Sequence, residues 1–343
     1  MSISRTNLSI THVRRTPLKS TAKKLFSPRN FAICFLVILA ILMVVKPAYY
    51  LASTRRGLSL FATTILPSLF PFYFCAIMLT KIGAAKTLSL MFEKPMAKLY
   101  RTPKESAYVM LLSMLSGYPV GASCTKELYT AGTIDEKDAK TISAFASTSG
   151  PIFILGTLGT AIFSNVWIGV IVLVSHYLGA ILNGIIYKNR KEDVSHHSVT
   201  VASENVDNVL SSSVEKSTLA MLMLGGYIVL GGILVDTLSL LGVDSAIKIP
   251  LGEKAQPIVA LIFGTVEMTR GIIECAKCSS LPLGIALASG IVSFGGLSVM
   301  LQTHSFLSVC GVKFKDILVR KITQSTISFL IALALGFAFQ KFL

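Results

Sequence analysis

Residues 114–128 read MLSGYPVGASCTKEL, and the residues just before them, 107–112, read AYVMLL. The apolar run begins like a helix and is then interrupted by Gly117, Pro119 and Gly121. Proline removes a backbone donor and clashes with the preceding turn, and glycine weakens a helix interior. The stretch therefore reads as a break: a short helix ends, the chain turns, and another begins. Whether such a break matters depends on the solvent around it, and the remainder of the sequence decides that.

Of the 343 residues, 52% are hydrophobic and only 14% are charged. Soluble domains typically carry about 25% charged residues. The apolar residues also come in blocks rather than in alternation, at about 31–45, 58–80, 105–118, 141–161, 163–187, 218–242, 256–266, 282–301 and 318–340. Blocks of about 20 residues match the hydrocarbon thickness of a bilayer. The expected fold is all-α: a polytopic membrane protein of seven to nine hydrophobic helices in the cell membrane. In hydrocarbon, irregular backbone persists only where protein or a water-filled cavity satisfies it. The break at SGYPVGAS is then a candidate for a buried, polar place.

The net charge of +15 orients the chain rather than pointing to nucleic acid, because no basic stripe carries interleaved aromatics. Residues 1–30 contain seven Lys or Arg residues and no acid, which predicts a cytoplasmic tail. An uncleaved anchor helix is expected over 31–54. Two repeats, 55–187 and 217–343, flank a polar linker at 188–216 that reads as a loop. If 105–131 and 256–281 each enter and leave the bilayer on one side, Lys188, Arg190 and Lys191 lie inside. So does a loop with Lys313, Lys315, Arg320 and Lys321, while Lys46, Arg55 and Arg56 remain misfits.

The layout repeats. Each half runs span, broken segment, span, span. The broken segments are SGYPVGAS (116–123) and FGTVEMTRG (263–271). Each is followed by a span with a small or polar interruption, FASTSGPIF (145–153) and SGIVSFGGLSVMLQ (289–302). With both broken segments re-entrant, the halves have opposite topology, the plan of many secondary transporters. Helix ends inside a membrane expose N–H groups that favour anions and carbonyls that favour cations. The candidate binding residues are therefore Ser116, Gly117, Tyr118, Pro119, Gly121, Ser147, Thr148, Ser149, Glu267, Arg270, Gly295, Gly296, Ser298 and Gln302. The competing explanation for the small residues is close helix packing. Glu267 and Arg270, three apart, form either an ion pair at the membrane edge or part of a solute path. Tyr118 either contacts a solute or anchors at the interface. His176 is expected to be a hydrogen-bonded packing residue, and Asp236 to sit near a span end.

Catalysis is not expected: there is no HExxH and no GxSxG. The lone CxxC at Cys275 and Cys278 cannot fill a zinc site, so neither metal nor cofactor is expected.

Four motifs in order, LPSLFPFYF (66–74), SGYPVGAS (116–123), STSGPIFILGTLG (147–159) and SFGGLSVMLQ (293–302), give the chain a resemblance over most of 55–340. It resembles the YlbJ-type sporulation integral membrane proteins, of the group carrying the nucleoside-recognition, or Gate, domain. The resemblance implies a membrane protein of spore formers with a role in cortex building, and kinship with the gates of ferrous iron transporters and with nucleoside permeases. It leaves two functions open: a transporter-like permease or gate for a small polar solute or ion, and a non-transporting scaffold for other sporulation membrane proteins. Iron uptake driven by this chain alone is not expected, since no GxxxxGK[ST] loop is present.

Overall fold

The computed structural model describes residues 28–82, 92–189 and 206–342, and every regular element among them is a helix. The chain separates into a unit ending at Leu51 and a unit from Ala52 to Leu343. The first holds α1 (Pro28–Val45) and the start of α2 (Pro47–Leu60). The expected single anchor over 31–54 is thus two helices, interrupted at Lys46, with Pro47 at the first position of the second, where its missing N–H costs nothing. On α1, Phe31, Leu36 and Val44 are 61–79% exposed, an apolar surface suited to lipid. The basic tail at 1–27 and the linker core at 190–205 lie outside the described residues.

In the second unit, α2 continues through a wide turn into α3 (Leu66–Lys81). Then come α4 (Glu105–Ser116), α5 (Val120–Thr130), α6 (Glu136–Phe145), α7 (Ile152–Ile162, π-helical), α8 (Val166–Ile186) and α9 (Val206–Leu240). The chain goes on with α10 (Val243–Leu251), α11 (Gln256–Val266), α12 (Met268–Cys275), α13 (Leu281–Phe294), α14 (Gly296–Leu307) and α15 (Phe314–Gln340). The stretch 206–216, expected in a loop, is the first part of α9, and Ser213 and Ser217 on it are buried.

Four stretches are long and apolar enough to span a membrane: Val166–Ile186, Asn208–Leu240, Leu281–Cys310 and Phe314–Gln340. A fifth results if Arg29–Val45 and Pro47–Ile65 are counted together. That is fewer than seven to nine. The remaining apolar blocks lie in shorter or bent helices; those at 105–118 and 141–161 stop at Gly117 and just before Gly150 and Pro151. These spans are apolar outside and polar inside: Leu182, Leu219, Leu222, Leu230 and Leu330 are exposed, whereas His176, Asn183, Ser289, Lys321 and Ser328 are buried. A water-soluble protein does the reverse.

The local sequence explains the breaks. Gly117 takes φ +83°, a conformation that costs glycine little, and its N–H closes α4 on the Ser113 carbonyl (2.8 Å). The Tyr118–Pro119 bond is cis, and α5 starts immediately after it. Glu267 is extended, ends α11, and accepts from the N–H groups of Thr269 (3.1 Å) and Arg270 (2.8 Å) to cap α12. The helices α11 and α12 fold back on each other. Gln256 at the start of α11 donates to the Glu274 carbonyl (3.1 Å) and carboxylate (2.6 Å) near the end of α12. Midway along the pair, Gly271 lies against the backbone of Gly264.

Candidate functional site

Each broken hairpin touches the interrupted span of its own half. Gly117, at the α4–α5 turn, is packed against the backbone of Gly150, between α6 and α7. Gly296, the first residue of α14, is packed against the Gly264 and Val266 carbonyls and the Met268 N–H at the α11–α12 turn. The two interruptions are then tied to each other by three side chains. The His176 ring on α8 accepts from the Ser149 N–H at Nε2 (2.8 Å) and meets Ser293 Oγ through Nδ1 (2.7 Å). Because Nε2 accepts, the proton is on Nδ1 and the ring is neutral. Tyr118 Oη donates to the Val292 carbonyl (3.0 Å). Lys321 on α15, 2% exposed, donates to the Ser147 carbonyl (2.6 Å), the Ser293 carbonyl (3.1 Å) and Tyr118 Oη (3.0 Å). The ammonium also sits over the Tyr118 ring, 4.5 Å from its centroid.

Beside this knot is a cavity of about 50 Å³. One water needs about 10–15 Å³ on this measure, so there is room for roughly three or four waters or a small ion. Tyr118, Ser149, Glu267, Thr269, Ser298 and Gln302 supply its polar wall, and residues such as Ile65, Phe153 and Leu224 its apolar wall. Gln302 is 1% exposed, and neither atom of its amide has a protein partner. Buried amides are nearly always partnered, so an orphan facing a cavity marks a place where something polar is received. The Glu267 stem packs against Gly231 of α9 and beside Ser298, which keeps its carboxylate at the cavity wall.

The structure therefore brings Tyr118, Ser149, Glu267, Ser298 and Gln302 together around one space. The other expected residues have different tasks. Thr148 and Ser113 share a hydrogen bond (2.9 Å) that fastens α4 to the first interruption. Ser147 contributes its carbonyl, while its hydroxyl lacks a partner. Ser116, Gly117, Pro119, Gly121, Gly295 and Gly296 are buried turn and packing residues. Only the Arg270 backbone N–H meets the Glu267 side chain; the guanidinium does not. The guanidinium donates to Asp236 (2.6 Å), which also binds Arg56 (2.7 Å); Asp236 sits near the end of its span as expected, four residues before Leu240, but is buried by these partners. That pairing accommodates Arg56, one of the charges that fitted no orientation. His176 matches its expected packing role, but it joins the two halves rather than filling space. Lys321 is the residue that sequence reasoning missed. Counting charges between apolar blocks puts it in a loop, yet it is the eighth residue of α15 and is buried. A signal existed: Lys321, Gln324, Ser325 and Ser328 fall on one helical face of an otherwise apolar span.

Cys275 and Cys278 are free thiols, and no cluster of three His, Cys, Asp or Glu residues that could hold a metal occurs among the described residues.

With this geometry established, comparison with known proteins adds one relation. The chain is 26% identical over 324 residues to the sporulation integral membrane protein YlbJ of Bacillus subtilis (strain 168), covering 84% of this chain and 78% of that protein. The chain is similar to a sporulation integral membrane protein. Together with its apolar spans, this places it as an integral membrane protein. No family model and no solved structure matches the chain.

Proposed function

We propose that this chain is a sporulation-associated permease or gate that admits a small polar solute or ion between its two halves, and that it serves spore cortex building. The observation that carries the reading is the unpartnered Gln302 amide at the wall of the cavity it shares with the Glu267 carboxylate. Two hairpins, each docked on the interrupted span that follows it, agree with a plan of two halves of opposite topology. In such plans the transported species binds near the bilayer midplane, where broken helices meet. The relative's name supports the link to sporulation.

Two substitutions separate a binding role from a structural one. Gln302→Leu removes an amide that has no protein partner, so its stability should be unchanged or higher by about 1 kcal/mol. Glu267→Gln keeps an α12 cap and loses only the charge, at a cost of about 0.3–1 kcal/mol. In a spore former lacking the native gene, both variants should reach normal membrane levels and fail to restore heat-resistant spores. Full complementation by both would remove the cavity from the function. A scaffold would instead be crippled by deleting 192–205, short of α9, or 2–25 while tolerating both point changes.

A further inference from the structure

Lys321 is held in an unusual shell. Its Nζ contacts four oxygens: the Ser147 carbonyl (2.6 Å), Tyr118 Oη (3.0 Å), the Ser293 carbonyl (3.1 Å) and Gln324 Oε1 (3.4 Å). Among the described residues no carboxylate lies within ion-pair distance of it. Buried lysines are normally paired with an acid; here oxygens of the chain stand in that place.

Two of these oxygens are peptide carbonyls. Ser147 lies just past the end of α6 (Glu136–Phe145), and Ser293 lies in the last turn of α13 (Leu281–Phe294). The final carbonyls of a helix have no intrahelical partner, and a helix C-terminus carries the equivalent of roughly half a negative charge. Ser293 brings one such end to the nitrogen, and Ser147, two residues beyond the last helical residue of α6, adds a peptide carbonyl free of any helix. The shell of carbonyl, hydroxyl and amide oxygens is also what a hard monovalent cation selects, and carbonyl oxygens are the means by which proteins replace such an ion's hydration water. An ammonium group is close to a potassium ion in size.

We propose that the two helix interruptions build a monovalent-cation site and that the Lys321 ammonium occupies it as a cation tethered to the chain. The halves are then joined through this site without a free metal ion. This holds whether or not a solute crosses the neighbouring cavity, so it can fail or succeed independently of the permease reading.

The experiment is cation rescue in the purified full-length chain in lipid nanodiscs. Melting is followed in KCl, NaCl and choline chloride at equal ionic strength for the wild type, Lys321→Ala and Lys321→Met. Alanine empties the site, whereas methionine fills the space without charge. The wild type, and separately the less stable Lys321→Met, should each melt at a temperature that does not depend on which of the three salts is present. Lys321→Ala should melt several degrees higher in KCl or NaCl than in choline chloride, with a saturable dependence. Equal melting of Lys321→Ala in the three salts, or the same rise in Lys321→Met, would overturn the proposal. If Lys321→Ala yields no folded protein, the wild type decides. Solid-state NMR of the chain labelled with 15Nζ-lysine and 13C′-serine should show an ammonium nitrogen close to serine carbonyl carbons. A neutral amine, or no contact with serine carbonyls, would reject the tethered cation.

Discussion

Gly121→Ala should cost at least about 3 kcal/mol and strip most of the protein from the membrane, because forced overpacking typically costs 1–3 kcal/mol even where side chains can yield. Here they cannot. A Cβ on Gly121 would stand 2.9 Å from the Ala146 carbonyl carbon, closer still to its oxygen, and 2.8 Å from Ser113 Oγ. The first two are backbone atoms at the interruption after α6, and moving them displaces the Ser147 carbonyl that Lys321 binds. Gly271→Ala belongs to the same class: its Cβ would fall 2.6 Å from the Gly264 nitrogen and wedge α11 from α12. The control is Gly156→Ala on α7, where no atom lies within 4 Å of the added carbon. It should stay within about 0.5 kcal/mol of the wild type. Membrane abundance and detergent-phase melting of the three variants test the contrast; equal behaviour of Gly121→Ala and Gly156→Ala would contradict the close approach.

Lys321→Met should lose about 3–5 kcal/mol, the sum expected for two hydrogen bonds from a charged donor. The substitution keeps most of the volume, so lost packing is a small part of this. What remains is two buried carbonyls without a donor, since no other group donates to the Ser147 or Ser293 carbonyl among the described residues. Hydrogen bonds from a charged donor are worth about 1.5–3 kcal/mol each, so losing two or three accounts for the range. Arginine should not rescue, because a planar fork does not fit a shell that closes around a point charge. Melting of Lys321→Met within 1 kcal/mol of the wild type would show that the ammonium holds nothing together.

The sequence carried the positions of the breaks well. Gly117 with Pro119, and the Gly295–Gly296 pair, are local signals, since each acts through its own backbone. Glu267 was recognisable as special because a carboxylate in an apolar run must be accounted for. Its capping of α12 followed less clearly, since nothing marked Met268 as a helix start. Span number is less legible: the blocks at 105–118 and 141–161 stop at Gly117 and just before Gly150 and Pro151, which block length alone does not show. The Arg270–Asp236 pair was out of reach: 34 residues separate the partners, while Glu267 stood only three positions away. Lys321 was misplaced for a different reason. Counting charges at span ends treats every lysine there as wetted, and only the polar face running through Gln324 and Ser328 contradicts that.

One consequence concerns biosynthesis. The Lys321 nitrogen binds a hydroxyl 203 residues earlier in the chain and a carbonyl 174 residues earlier. Translation delivers the acceptors long before the donor. Until the final helix enters the bilayer, the half-made protein must keep bare peptide oxygens at its centre, and the translocon or a chaperone is the natural place to shelter them.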